Sequence, residues 1–326
     1  MVERTGPGLR LLAERRGFRI GTCVSILPLK NDPEYARTVA REFNVITPEN
    51  ALKFGVLSRS RGHYDFSDAD ALVDFAQKHG MQIHGHALLW YAQLPEWLVN
   101  GKLTRTELID ILTTHVTTVV GRYAGRIASW DVVNEAIATD GTLRDNVWHR
   151  IIGPEYLDMA FAAAHSADPK AQLFYNDYGI EATEQHADAV YELLRTLRGR
   201  QVPIGGVGLQ MHLTLDHLSA VNRLPSMLAR LADLGLPVAV TEFDVRMKMS
   251  GHPTAEQLAT QASVYREVLR SCLTAQGCST LVVWGFTDRH SWVPHFFPKQ
   301  GAALLWDEEY QPKPSYHALA EELMRD

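Results

Sequence analysis

The sequence is short of several things. Its 326 residues contain only three cysteines, Cys23, Cys272 and Cys278, with no CxxC spacing, so no cysteine motif of the metal-binding kind is present. No apolar run reaches the ~18 residues of a membrane span. The formal charge is −6 and no basic cluster interrupts it, which argues against nucleic acid and anionic membranes as partners. No low-complexity tract, Pro/Ser-rich linker or internal repeat divides the chain. The N-terminal "MVERTGPGLRLLAERRG" lacks an apolar h-region and does not read as a signal peptide, which leaves secretion open. No glycine-rich phosphate loop follows the first strand candidate, which counts against a dinucleotide-binding doubly wound sheet.

What is present is an ordinary globular composition, 46% hydrophobic and 21% charged, with enough apolar residues for a large core. Short apolar stretches alternate with amphipathic ones. Strands are expected at 18–25, 44–48, 82–89, 127–134, 172–177, 206–212, 237–243 and 280–286. Helices are expected at 67–79, 105–120, 154–166, 183–197, 223–234 and 255–272, with a last one beginning in "KPSYHALAEEL". Thr104-x-x-Glu107 and Thr254-x-x-Gln257 are capping-box patterns, and Pro314 suits a first helical position. Eight strands alternating with helices predict an α/β fold, a (β/α)8 barrel, in which residues 1–326 form a single domain.

Such a barrel keeps its functional groups at the C-terminal ends of the strands. Those ends carry Glu49, Asn50 and Lys53; His84 and His86; Asn134 and Glu135; Asn176 and Asp177; Gln210 and His212; Glu242 and Asp244; and Trp284 with Asp288. Any one of these could be a helix cap or a surface residue. Their recurrence at one rim is harder to assign to structure alone. Trp90, Trp97, Tyr178, Trp292 and Trp306 accompany them, and hydroxyl-binding groups beside flat apolar faces suit a sugar. Two stretches stand out, "SWDVVNEA" at 129–136 and "VAVTEFDV" at 238–245. Each runs apolar and then presents a glutamate. Glu135 and Glu242 are placed to face each other across the barrel mouth, and paired carboxylates are what glycoside hydrolysis requires. Their like charges help to drive their pKa values apart. Asn134 can bond a sugar hydroxyl.

At these residues the chain resembles glycoside hydrolase family 10, the retaining endo-β-1,4-xylanases, over residues 10–325. "WDVVNEA" is similar to the acid/base motif and "VTEFDV" to the nucleophile motif. The resemblance therefore implies double displacement at internal bonds of xylan, with Glu135 as acid/base and Glu242 as nucleophile. "REFNVITPENALKF" implies that Glu49, Asn50 and Lys53 hold the sugar one unit beyond the cleaved bond on the non-reducing side. "HGHALLWYAQLPEW" implies that His86, Trp90 and Gln93 line the site. "FYNDYGIE", "GVGLQMHL" and "VVWGFTDRHSW" resemble later motifs, and Tyr178, Gln210, Trp284 and Trp292 complete the implied substrate-binding set. Gln93 and Trp292 are placed where the exocyclic CH2OH of a glucose would project, so the resemblance implies a preference for xylose. His212 and Asp244 are implied to orient the nucleophile. Cys272 and Cys278, whose intervening loop could close a disulfide, sit where many secreted members have one.

The chain departs from the family pattern at Phe54, His84, Tyr91, His290 and Val293, and keeps both glutamates. No cofactor or metal is expected. The expected partners are xylan and xylo-oligosaccharides, with no nucleic acid and no membrane, and the protein is expected to be an extracellular monomer. Three other readings compete. One is a metal-dependent hydrolase using His84 and His86, which share a face of their strand, with His212 and Asp288. Another is a non-catalytic sugar binder on a decayed barrel. The last keeps the mechanism but takes a different substrate, such as a plant glycoside.

Overall fold

The chain is described here by a computed structural model, over residues 6–216 and 219–325. The strands are apolar on both faces, and a sheet covered on both sides is what such strands build. In chain order they are β1 (Arg19–Val24), β2 (Val45–Pro48), β3 (Gln82–Gly85), β4 (Ser129–Asn134), β5 (Gln172–Asp177), β6 (Gly206–Leu209), β7 (His212–Thr214), β8 (Val238–Lys248), β9 (Cys278–Val283) and β10 (Gln300–Gly301). Eight of them, β1 to β6, β8 and β9, pair in parallel, each with the next in the chain apart from the short β7. Pairing of β9 with β1 closes the ring. The fold is a (β/α)8 barrel.

A main helix follows each barrel strand, some with a shorter helix before it: Pro33–Glu42, Ser67–Lys78, Arg105–Arg122, Tyr156–Ala167, Glu184–Gly199, Ser219–Ala232, Ala255–Thr274 and Pro314–Met324. Both expected capping boxes form. Thr104 N donates to Glu107 Oε2 at 2.9 Å and Thr254 N to Gln257 Oε1 at 2.9 Å, with the reciprocal bonds present. Each cap is worth about 1 kcal/mol. Among the described residues no helix is long and apolar enough to cross a membrane.

Several boundaries differ from expectation, and three of these differences are instructive. The strand expected at 206–212 is broken, because Met211 adopts a left-handed backbone (φ 62°) and separates β6 from β7. The strand expected at 237–243 runs on to Lys248, because β7 and β10 give its distal half partners. The helix expected at 223–234 starts at Ser219 and carries Pro225 inside it. The first two changes matter for the site. They bring His212 into register with Asp244.

Candidate active site

The chain leaves β4 through Glu135, whose backbone is left-handed at φ 59°. Such a conformation is costly for a residue with a Cβ. It persists here because the Glu135 N–H donates to Asn176 O at 2.8 Å and the Glu135 carbonyl accepts from Arg144 Nε at 2.9 Å. The turn aims the carboxyl into the mouth of the barrel. There Oε1 accepts from Gln210 Nε2 at 2.9 Å and from Asn134 Nδ2 at 3.2 Å. Burial raises the Glu135 pKa, the negative charge of Glu242 adds to that, and the Gln210 hydrogen bond opposes it. This group is held toward its protonated form.

Glu242 lies at the matching level of β8. Its Oε1 accepts from Asn176 Nδ2 at 2.7 Å, and its Oε2 lies 3.3 Å from His212 Nε2. His86 Nδ1 is 3.8 Å from Oε1. Burial pushes the Glu242 pKa up, but the charge of His86 and the bond and charge of His212 outweigh it, and the net shift is downward. Glu242 is therefore held ionised. His212 is also bonded through Nδ1 to Asp244 Oδ2 at 2.8 Å. A carboxylate only accepts, so a ring flanked by two of them carries a proton on each nitrogen. Burial opposes that charge, and the two carboxylates prevail, lifting the His212 pKa to about 10. Trp292 Nε1 donates to the same Asp244 Oδ2 at 2.8 Å.

The two glutamates are linked by a chain of amides. Asn176 Nδ2, which serves Glu242, also donates to Asn134 Oδ1 at 2.9 Å, and Asn134 serves Glu135. Thr241 Oγ1 donates to Asn176 Oδ1 at 2.6 Å. Gly208 permits this arrangement, since a Cβ there would come within 2.1 Å of Asn176 Oδ1.

An open cleft of about 1100 Å³ crosses the rim, and both glutamates line it. Glu49, Asn50, Lys53, His86, Trp90, Gln93, Tyr178, Gln210, Trp284 and Trp292 line it too, together with Asn134 and His212. Asp244 lies behind His212, fully buried. The structure thus brings together the whole expected set. At the β2 end, Lys53 Nζ donates to Asn50 Oδ1 at 3.0 Å and sits 5.0 Å above the Trp90 ring. Burial raises the Glu49 pKa and lowers that of Lys53, and their opposite charges resist both shifts.

Of the residues in and around the cleft that escaped the sequence reading, three bear on the two glutamates. Asn176 was visible at a strand end without a role. Asp131 is a buried carboxylate inside β4, accepting from His84 Nε2 and His86 Nδ1, each at 2.8 Å. Burial opposes its ionisation, yet the two histidines hold its pKa at about 2. A lone acid in an otherwise apolar strand was its signal. Arg144 sits in the irregular segment after β4, where no periodicity marks it.

The geometry also sorts the rival assignments. His84 and His86 do share a face, but both turn to Asp131. Asp288 instead bonds Lys313 Nζ at 2.8 Å and the Leu304 N–H at 2.9 Å. Asp177 serves the Tyr175 hydroxyl and the Tyr178 N–H. Both aspartates thus have the structural role open to them from the start. Among the described residues, His86, Asp131 and Glu242 are the ones whose ligand-type atoms gather within 4.8 Å, a different set from the one the metal reading required. Of the family departures, Phe54 and Val293 are core residues, and Tyr91 is the one that lines the cleft. Cys272 and Cys278 are disulfide-bonded and Cys23 is a buried free thiol.

Comparison with known proteins matches this architecture. Residues 8–322 fit the model of glycosyl hydrolase family 10. Endo-1,4-beta-xylanase B of Thermotoga neapolitana is 41% identical over 315 residues, covering 96% of this chain and 90% of that protein. Endo-1,4-beta-xylanase A of Humicola insolens is 35% identical over 331 residues, covering 98% and 88%. The crystal structure of xylanase 10B from Thermotoga petrophila in complex with xylobiose superposes with a TM-score of 0.95 at 40% identity, covering 98% of each chain. With the family's model spanning nearly its whole length, the chain belongs to glycosyl hydrolase family 10.

Proposed function

We propose that the protein is a retaining endo-1,4-β-xylanase, with Glu242 as nucleophile and Glu135 as acid/base. The observation that carries this is the opposite charge bias of two carboxyl groups in one cleft. Double displacement needs that division. Glu135 gives its proton to the glycosidic oxygen while Glu242 attacks the anomeric carbon, and the leaving chain departs. Glu135, now ionised, takes a proton from water, which attacks the same carbon and releases Glu242. His212, charged and braced by Asp244, keeps Glu242 ionised and oriented. Asn134 Nδ2 gives one N–H to Glu135 and has a second to offer a sugar hydroxyl. The substrate class follows from the curated relatives and from the xylobiose-bound neighbour. Glu49, Asn50 and Lys53 hold the sugar beyond the cleaved bond, and Trp292, pinned by its bond to Asp244, forms a rigid wall with Gln93 against a larger sugar.

The disulfide fits an extracellular setting, because such bonds persist where the environment is oxidising. One experiment tests the assignment. The protein is incubated with xylan and with cellulosic chains, and the first products are followed by proton NMR. Xylo-oligosaccharides with a β-configured new reducing end are expected, with much slower release from the cellulosic chains. An α-configured first product overturns the mechanism. Equal rates on the two polymers overturn the substrate.

A further inference from the structure

We propose that Arg144 is a positioning residue for Glu135, which locks the acid's backbone and ties it to the leaving-group side of the cleft. The proposal rests on reading Glu135 as the acid/base. Arg144 does not line the cleft itself. Its guanidinium lies behind the wall and holds three acceptors. Nε donates to the Glu135 carbonyl at 2.9 Å, and Nη2 donates to the Ile137 carbonyl at 2.9 Å and to the Tyr178 hydroxyl at 3.0 Å. Its backbone N–H donates to the Ala136 carbonyl at 2.7 Å. The guanidinium plane also packs 4.3 Å from the centre of the Tyr91 ring and 5.8 Å from that of Tyr178. Tyr91 follows β3, Arg144 follows β4 and Tyr178 follows β5. One planar cation therefore joins three adjacent strand ends.

The need for such a clamp is visible in Glu135. Its left-handed backbone disfavours any residue with a Cβ. Among the described residues two hydrogen bonds hold its backbone, one from its N–H to the Asn176 carbonyl and one from Arg144 to its own carbonyl. Remove the second and the chain after Asn134 is free to relax toward an ordinary conformation, which swings the carboxyl away from the glycosidic oxygen. A lysine cannot replace the fork, because its ammonium is a point charge on a flexible stem. Ring order gives the direction of the tie. Glu49 and Asn50 follow β2 and hold the non-reducing side on the proposed reading. Tyr178 stands three strands further round, which on the same reading puts it on the leaving-group side. Tyr91, one of the positions where this chain departs from its family, lies on the same guanidinium. It makes the clamp's outer face part of the cleft wall.

The test uses the full chain carrying Arg144→Met or Arg144→Lys, with circular dichroism to confirm folding. A misplaced acid hurts only the steps that need its proton. On xylan, kcat should fall about 10²-fold in Arg144→Met, the scale of a 1 Å misplacement. On 2,4-dinitrophenyl β-xylobioside, whose leaving group needs no proton, the burst of dinitrophenolate should keep its rate, while steady turnover slows at the hydrolysis of the glycosyl-enzyme. Added azide should restore that turnover. It attacks the anomeric carbon of glycosyl-Glu242, the bond to the Glu242 oxygen breaks, and the carboxylate leaves with its electron pair. The product is β-xylobiosyl azide, and no base is needed. Arg144→Lys should show the same signature with a smaller loss, and it carries the test if Arg144→Met does not fold. Equal losses of burst and steady rates in a folded variant, with no response to azide, overturn the proposal. Glu135→Ala run beside it keeps the two readings apart. If that variant also lacks azide rescue, the assignment of Glu135 has failed rather than that of Arg144.

Discussion

Glu135 and Glu242 are the same side chain at the ends of two strands of one barrel, and their surroundings treat them in opposite ways. The donors to the Glu135 carboxyl are neutral amides, from Asn134 and Gln210. Glu242 has one amide donor, Asn176, and two imidazoles. Burial is nearly equal, at 7% and 5% exposed, so desolvation alone would raise both. The difference lies in the cations. Amides orient a carboxyl without deciding its charge strongly, whereas a buried imidazolium decides it. The imidazolium itself exists because Asp244 stands behind it. The asymmetry between the two glutamates is thus set one layer deeper than the glutamates themselves.

The harshest way to break the comparison is to delete each carboxyl in turn. Glu242→Ala should remove activity on xylan and on activated aryl xylobiosides alike, by a factor on the order of 10⁵, because no leaving group replaces a nucleophile. Glu135→Ala should cost about 10²–10⁴ on xylan and spare the dinitrophenolate burst. Parallel losses on both substrates for both variants would show that the two groups do not divide the work.

A milder change sharpens it. His212→Gln keeps a donor near Glu242 and removes the cation. The charges of His86 and His212 are what hold the Glu242 pKa down, so with one of them gone burial should raise it. On the proposed reading Glu242 acts ionised. The acid limb of kcat/KM should therefore move to higher pH, by about one to two units, while the basic limb stays in place. A shift of the acid limb to lower pH, or of the basic limb instead, would remove His212 from the nucleophile's side.

Much of this arrangement is legible in the sequence, for a physical reason. Barrel strands are buried on both faces, so their polar residues crowd at the ends. Glu49, Asn134, Glu135, Gln210 and Glu242 declared themselves by interrupting apolar runs. Register does not announce itself in the same way. The pairing of His212 with Asp244 depends on the kink at Met211 and the extra length of β8, which no period reveals. Asp131 reads as one odd residue in "SWDVVN" until the histidines across β3 are seen to face it. Arg144 was out of reach because most of its partners are backbone carbonyls. Any sequence offers those at every position, and only the fold selects among them. The helix Pro33–Glu42 passed unnoticed although Asp32 caps it and Pro33 opens it, a signal that was there to use.

The smallest expected effect comes from the neutral side of the comparison. Gln210 Nε2 donates to Glu135 Oε1 at 2.9 Å and reaches Asn134 Oδ1 at 3.3 Å. A donor to a carboxyl oxygen favours the ionised form, and here it opposes the upward push of burial. Gln210→Ala removes that opposition, so the Glu135 pKa should rise further. As the proposed acid, Glu135 must be protonated when the glycosidic bond breaks. A higher pKa keeps it so to higher pH, and the basic limb of kcat/KM should move up. One hydrogen bond to a charged group is worth about 1.5 kcal/mol, which corresponds to about one pH unit. On the proposed reading the acid limb belongs to Glu242, whose amide comes from Asn176, so it should not move. Near the optimum, kcat should change only a few-fold, since Asn134 still holds Glu135. The measurement is the full pH profile of kcat/KM on a xylo-oligosaccharide with a natural leaving group. A downward shift of the basic limb would mean that Gln210 stabilises the neutral acid. A shift of both limbs together would mean that the amide chain through Asn134 and Asn176 couples the two carboxyls, so that neither limb belongs to one glutamate alone.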